Sequence, residues 1–313
     1  MKELNNKINI TGELIEKALE EKVINGRQAI SGTITLRTAD KSEHEINLFA
    51  YRFKADENGN ETSEEAYFYL QYKELMTFKS KADCAEGEYA DVVEMSQGSF
   101  RVNDYLSKKD TTVKTVTQIS GRFIKKIEPQ QIENTTQTAE FDIDCQIESM
   151  TEEIVRDEPT GRIIIKGNAI GQKMLKDKSY SADSLIPVRL VVPMELADDF
   201  KSAGFYEGAC MGTFYGNIVN SVETETVTTK AVFGADKTEF VKKYVNGNIL
   251  LGATNMYDIY SIDLNDDIMN TLIAKRKQKL EEVKTGANKK SANVSAAMPK
   301  TNPLASSVNP FAK

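Results

Sequence analysis

Aromatic and basic side chains interleave at two places in this 313-residue chain. The first takes in Arg37 and the run Tyr51-Arg52-Phe53-Lys54. The second begins at Arg101 and continues through Tyr105, Lys108 and Lys109 to Arg122. Flat rings stack on other flat rings, and cations beside them neutralise phosphates, so the mixture suits a polyanion that carries planar bases. Tyr51, Phe53 and Tyr105 are the candidate stacking residues, each stacked base contributing about 1–3 kcal/mol. Arg37, Arg52, Lys54, Arg101, Lys108, Lys109 and Arg122 are the candidate phosphate contacts. A solvated strand face accounts for the second run equally well.

The elements that must position these groups read as β-structure. Gln28 to Thr38 and Glu45 to Phe53 form two strands around the turn Ala39-Asp40-Lys41-Ser42, a hairpin whose Gly32 marks a bulge or tight bend. Bent hairpins with aromatic and basic residues are the working surface of oligonucleotide-binding barrels. The chain carries this unit twice. Ile8-Asn9-Ile10 with Leu14-Ile15-Glu16 is echoed by Phe141-Asp142-Ile143 with Gln146-Ile147-Glu148, and the segment from Gly26 to Gly32 by that from Gly161 to Gly167. Glu86-Gly87 returns as Glu207-Gly208, and Ile119-Ser120-Gly121 as Leu250-Leu251-Gly252. Four matches in one order predict a duplicated unit of roughly 120 residues.

The segment 7–14 reads as a short strand, and 16–23 fits a helix or an extension of that strand. The polar stretch 56–65 is expected to be an exposed, mobile loop. The spacing of Phe68, Tyr72, Leu75 and Met76 predicts an amphipathic helix across a barrel opening, with most of its aromatics in the core. Strand character over 89–100 ends at a glycine turn, a further strand covers 102–106, and 112–127 reads as one final strand. In the second half, 161–170 and 185–193 are strands; Pro187 and Pro193 predict that the latter lies at a sheet edge. A short helix follows at 194–205, with Leu196, Phe200 and Phe205 on its apolar side. A helix from Asn265 to Val283 has Asn265 or Asp266 as its N-cap, early acids and late cations.

The expected architecture is therefore mainly β: two tandem OB-fold-like β-barrels, a C-terminal helix and a disordered C-terminal tail. Its divisions are 1–128, a linker at 129–140, 141–262, a helix at 263–284 and a basic tail at 285–313. Beyond residue 285 there is too little apolar material to build a core.

Charge and composition narrow the chemistry. The net charge is −7, but residues 275–313 hold nine Lys and Arg against two Glu, leaving −14 on the rest. Uniform attraction to nucleic acid is unavailable to such a body, so binding would need a local basic groove and stacking. One histidine and three scattered cysteines leave no zinc pattern, no Cys/His catalysis and no disulfide framework. No phosphate loop, nucleophile elbow or dinucleotide fingerprint occurs. The expectation is a protein without catalytic activity, cofactor or metal. No apolar run approaches a membrane span and the first residues lack a signal-peptide centre, which predicts a cytoplasmic protein.

These patterns together resemble phage and prophage single-stranded-DNA-binding proteins built from two OB-fold units. The residues that carry the resemblance are ISGTITLRT with INLFAYRF, then DYLSKK and TQISGRFIKKIE. In the second half they are TGRIIIKG, VRLVVP, and AVFG leading to IAKRKQKLEEV. The resemblance covers roughly residues 5–284. It implies sequence-independent binding of single-stranded DNA in phage replication or recombination, in the cytoplasm of a bacterial host. A non-catalytic module that holds replication or virion proteins is the alternative. The N-terminal unit is expected to dominate binding, because its hairpin carries Arg37, Arg52 and Lys54. Pro310-Phe311, near the end of the basic tail, is a candidate docking peptide for a replication or recombination partner.

Overall fold

The computed structural model describes residues 1–56, 59–155, 157–230, 233 and 237–286. Strand β1 (Asn6–Ile24) is continuous, so the ambiguous 16–23 segment is strand rather than helix. Its local composition is overridden by pairing with β2 (Arg27–Arg37), from Glu16 opposite Thr35 to Ile24 opposite Arg27. The turn between them is Asn25-Gly26, both at positive φ (52° and 79°), the geometry of a tight two-residue hairpin. The irregularity in this ladder falls between Leu14 and Glu16 of β1, whereas Gly32 pairs regularly with Leu19 and Leu48. Gly32 marks a close crossing instead: a Cβ there would lie 1.8 Å from the Ala18 carbonyl oxygen.

Strand β3 (Glu43–Tyr51) completes the hairpin, burying His44, Ile46, Leu48 and Ala50 on alternate positions. The stretch 56–65 is not a loop throughout. β4 (Phe53–Ala55) pairs with β5 (Glu61–Glu65) in a small separate ribbon. Helix α1 (Tyr67–Leu75) follows and buries Tyr69, Tyr72 and Leu75, with Phe68 and Met76 partly covered. Strand β6 (Val92–Leu106) runs through Gly98 without ending. Ile8 opposes Gly98 while Ile10 opposes Met95, so Ser96 and Gln97 share one partner position, and Gln97 takes φ 54°. A bulge thus replaces the expected turn. The run 112–127 divides into β7 (Val113–Ser120) and β8 (Phe123–Lys126). At the break, a Cβ on Gly121 would lie 2.5 Å from Leu48 Cδ2.

A short helix α2 (Pro129–Ile132) leads to β9 (Ala139–Val155), which begins before Phe141. The segment between is pinned to the first half: Thr11 N–H donates to Thr138 O (2.8 Å) and Ala39 N–H to Gln137 O (3.0 Å). Then come β10 (Glu158–Met174), β11 (Tyr180–Val192), α3 (Ala197–Ser202), β12 (Cys210–Thr229), β13 (Lys237–Asp258) and α4 (Asp266–Thr285). β11 lies between β10 and β13 rather than at the sheet edge. Its pairing with β13 is limited to Leu190 and Val191, so the stretch containing Pro187 has a ladder only with β10. That one-sided stretch tolerates proline's missing N–H.

The two halves repeat one topology. In the first, the order β1-β2-β3-β7-β6 closes because β6 pairs back onto β1, with β3 and β7 parallel. In the second, β9-β10-β11-β13-β12 closes through β12 and β9, with β11 and β13 parallel. These are OB-fold-like barrels, each with a helix between its third and fourth barrel strands. The sequence echoes fall on equivalent places: Ile119 and Leu250 both lie on the strand parallel to the third one, and Gly87 and Gly208 share positive φ. β1 pairs with β9 from Asn6–Ile143 to Ile10–Ala139, which joins both barrels into one sheet of eleven strands.

Further contacts hold the halves together, among them the following two. The β2–β3 turn docks on β12, where Asn220 N–H donates to Ser42 Oγ (3.0 Å) and Asn220 Nδ2 to Glu43 O (2.7 Å). Helix α4 packs Met269 and Leu272 on a cluster that includes Leu4, Ile170 and Leu185, then reaches back to the first barrel. Arg276 there makes a two-pronged contact with the fully buried Asp104 side chain on β6, one arm at 2.7 Å. The helix starts as its sequence predicts, with Asn265 Oδ1 accepting from Ile268 N–H at 3.0 Å. Asn265→Ala should therefore cost about 1 kcal/mol, read as a lowered midpoint in urea with an unchanged slope. The tail from residue 287, with Pro310 and Phe311, lies outside the described residues.

Candidate nucleic-acid interface

A groove of about 940 Å³ runs between the two barrels. One wall carries Phe49 of β3, Arg101 of β6 and Arg122 just before β8. The opposite wall comes from the β10–β11 hairpin around Gly171 and Ser184, and α4 adds Lys275, Arg276 and Lys279. Alternation along β3 explains Phe49: with Ile46, Leu48 and Ala50 inward, the ring must face out, and it is 40% exposed. It meets Tyr51 edge-on, with ring centroids 4.8 Å apart.

The cations of this groove are not equivalent. Arg101, Arg122 and Lys275 form no ion pair with a carboxylate among the described residues, whereas Arg276 is held by Asp104 and Lys279 approaches the same carboxylate at 3.8 Å. The Arg122 guanidinium lies over Phe68 (5.6 Å) and Phe123 (5.9 Å), rings that restrict where it can point. Beneath it, the Tyr72 hydroxyl donates to Arg122 O at 3.2 Å. Burial pushes that phenol up to about 12, while the positive charges of Arg122 and Arg101 pull the other way. Glu3 and Asp183 also border the groove, so its basic character is concentrated on the β6, β8 and α4 side.

The remaining residues singled out from the sequence are distributed more widely than their spacing suggested. Arg37 lies opposite Glu43 at the far end of the hairpin, about 26 Å from Tyr51 at strand rise. It is engaged by Glu43 (2.6 Å) and Glu13 (3.7 Å). Tyr51, Arg52 and Phe53 stay together next to the groove, beneath Arg27, whose guanidinium stacks 4.1 Å over Tyr51. Arg52 lies 5.0 Å over Phe53 and is paired with Glu65 (2.8 Å); Lys54 is paired with Glu64. Tyr105 is half-buried on β6 opposite Lys114, and Lys108 and Lys109 are exposed on the β6–β7 turn. That turn lies roughly 17–20 Å along the strand from Arg101. Of the ten candidates only Arg101 and Arg122 line the groove itself.

Phe49, Lys275 and Lys279 line the groove without having been singled out. The alternation in INLFAY, which turns Phe49 outward, was the available signal for the ring. The KRKQK run of α4 fits a helix C-terminus, and nothing in its spacing says that it returns to the first barrel. No group of three or more metal-ligating side chains occurs among the described residues, and the three cysteines are free. No helix among the described residues is long and apolar enough to cross a membrane.

Fold and site define a class: two OB-fold-like barrels sharing one sheet, with a basic groove between them that is edged by aromatic rings. The chain belongs to the YorF family, whose model matches residues 5–286. No curated protein matches the sequence. Among solved structures, the wild-type single-stranded DNA binding protein from Thermus aquaticus is similar at 10% identity and TM-score 0.41, over 81% of this chain and 94% of that one. A deletion mutant of the same protein gives 10% identity and TM-score 0.39 over 80% and 94%. A replication protein A heterotrimer bound to single-stranded DNA gives 12% identity and TM-score 0.22 over 69% and 45%.

Proposed function

We propose that this protein binds single-stranded DNA without sequence preference in the groove between its barrels, and catalyses no reaction on it. The observation that carries this reading is that Arg101, Arg122 and Lys275, which form no ion pair among the described residues, line the same groove as the exposed ring of Phe49. A chain with net charge −7 cannot hold DNA by its overall field, so a confined basic track with a stacking ring is what binding would require. Backbone neutralisation by arginine and lysine carries no base preference, and neither does stacking on phenylalanine. A second stretch of contacts at Lys108 and Lys109 would lengthen the track along β6. Both barrels and α4 contribute, so the reading replaces dominance by the N-terminal unit with one shared site. A role in phage or prophage replication or recombination follows from the resemblance of the sequence patterns, and a partner held by the Pro310-Phe311 tail remains part of that proposal.

The test is fluorescence anisotropy with labelled oligo(dT) and a mixed-sequence oligonucleotide at several salt concentrations. The expected result is similar affinity for both, falling with salt by about 0.7 logarithmic units per neutralised phosphate and decade of salt. Absence of binding at low salt would instead favour the interaction-module alternative.

A further inference from the structure

The β4–β5 ribbon places three carboxylates on three cations: Arg27 and Arg52, which lie over the Tyr51 and Phe53 rings, and the neighbouring Lys54. Glu61 holds Arg27 at 3.0 Å, Glu65 holds Arg52 at 2.8 Å, and Glu64 holds Lys54. The rings and cations beneath are arranged for stacking and phosphate contact, with Arg27 over Tyr51 and Arg52 over Phe53. The patch is continuous with the groove, because Tyr51 touches Phe49. The ribbon itself is held weakly. It is a separate two-stranded sheet with an irregular ladder between Phe53–Glu65 and Ala55–Glu61, and such ribbons are marginal alone. Of the three pairs Lys54–Glu64 is the exposed one, and such a pair contributes little to stability; the other two are partly solvated, so water reaches all three.

We propose that β5 is an intramolecular stand-in for a nucleic-acid backbone. Its carboxylates occupy the positions that phosphates would take as a bound strand leaves the groove across Tyr51 and Phe53, and a strand long enough to reach this patch displaces them. The proposal rests on reading the groove as a site for single-stranded DNA, and it adds regulation by strand length to that site. A short strand that fills only the groove leaves β5 in place. A longer strand exchanges carboxylates for phosphates on Arg27, Arg52 and Lys54, an anion-for-anion exchange that releases few counterions. The salt dependence of the native protein therefore understates the number of phosphates it contacts.

The experiment compares the native chain with Glu61→Gln/Glu64→Gln/Glu65→Gln, using a short and a long oligo(dT) across a salt series. The long strand should bind the triple variant roughly tenfold more tightly at low salt, with a salt slope steeper by about 2, while the short strand gains no more than it does in a net-charge control. Glu152→Gln/Glu158→Gln/Glu195→Gln removes the same charge from exposed positions of the second barrel and controls for net charge. It should give a smaller change that does not depend on strand length. If the triple variant fails to fold, Glu64→Gln alone, at an exposed pair, should steepen the slope by about 0.7 in the same direction. Long-strand affinity and slope no greater than the control's overturn the proposal, and if Arg101→Ala/Arg122→Ala still loses binding, the groove reading stands without it. If none of these proteins binds oligo(dT), both fall. Binding by the triple variant alone, with neither strand held by the native chain, also overturns the proposal, because the native groove must hold a short strand while β5 stays in place.

Discussion

Replacing Arg101 and Arg122 together with alanine should weaken binding of oligo(dT) by about 30-fold at low salt and reduce the salt slope by about 1.4. Each guanidinium lines the groove and forms no ion pair with a carboxylate among the described residues, so each is available for one phosphate. A charge-assisted contact at a partly solvated site is taken at about 1 kcal/mol, and two such contacts give the stated factor. Because exposed charges are screened, the penalty should shrink as salt rises. Arg37→Ala is the matched control: its guanidinium is already held by Glu43 and Glu13 at the far end of the hairpin, and binding should not change. Phe49→Ala should weaken binding with little change in slope, since a lost stacking contact releases no counterions. A double arginine variant that folds normally and binds with native affinity and slope would remove the groove from consideration. Circular dichroism is needed alongside, because Arg122 also lies against Phe68 and Phe123 and its loss could loosen α1.

Acidification from pH 6.5 towards 4 should cost the fold on the order of 3 kcal/mol through one side chain. His44 is 2% exposed inside the β2–β3 hairpin, and it is the only histidine in the chain. Burial lowers its pKa to about 4, against the opposing pull of the Asp40 and Glu43 carboxylates. The folded protein therefore keeps the ring neutral, while the unfolded chain takes up a proton near the ordinary value of 6.5. Where the unfolded state binds more protons, stability rises with pH, so this contribution is complete above 6.5 and is lost as pH falls towards 4. Asp142 acts in the opposite sense, since burial and then Asp144 raise its pKa, and protonation of that carboxyl favours the folded state. Asp40 lies in the same cluster. Burial would raise its pKa, but hydrogen bonds from Thr38 and Ser42 outweigh it and lower the value, which places its own loss of stability at more acid pH. Urea denaturation at pH 7 and pH 5 should reveal the difference, and His44→Asn should flatten it while lowering stability at both. An equal pH dependence in His44→Asn would show that carboxylates, not this imidazole, govern the window. The location sharpens the consequence, because Ser42 of the same turn accepts from Asn220 of the second barrel. Loss of the His44 environment should loosen the contact between the halves.

The sequence by itself determined the local β-structure and the repetition. Alternation in INLFAY sets which face of β3 is buried, and Asn265 caps the last helix because its side chain accepts from the N–H of Ile268, three residues on. Asn25-Gly26 also carried enough information to decide that 16–23 is strand, since a two-residue turn with positive φ forces the two flanking segments to pair. These are short-range effects, and they can be read from neighbouring residues.

Only the tertiary structure decided which charges are free. Arg37, Arg52, Lys54, Arg101 and Arg122 look alike in sequence, yet the first three are matched by carboxylates on neighbouring strands and the last two have no such match among the described residues. Pairing of β5 with β4 brings Glu64 and Glu65 to Lys54 and Arg52, and that ribbon was read as a polar loop. The joining of the barrels through β1 and β9 creates the groove, and the return of α4 to Asp104 brings Lys275 and Lys279 to residues more than 150 positions earlier in the chain. Whether a cation serves the fold or remains available to a ligand depends on the nearest opposite charge in space, and a linear pattern has no means of expressing that distance.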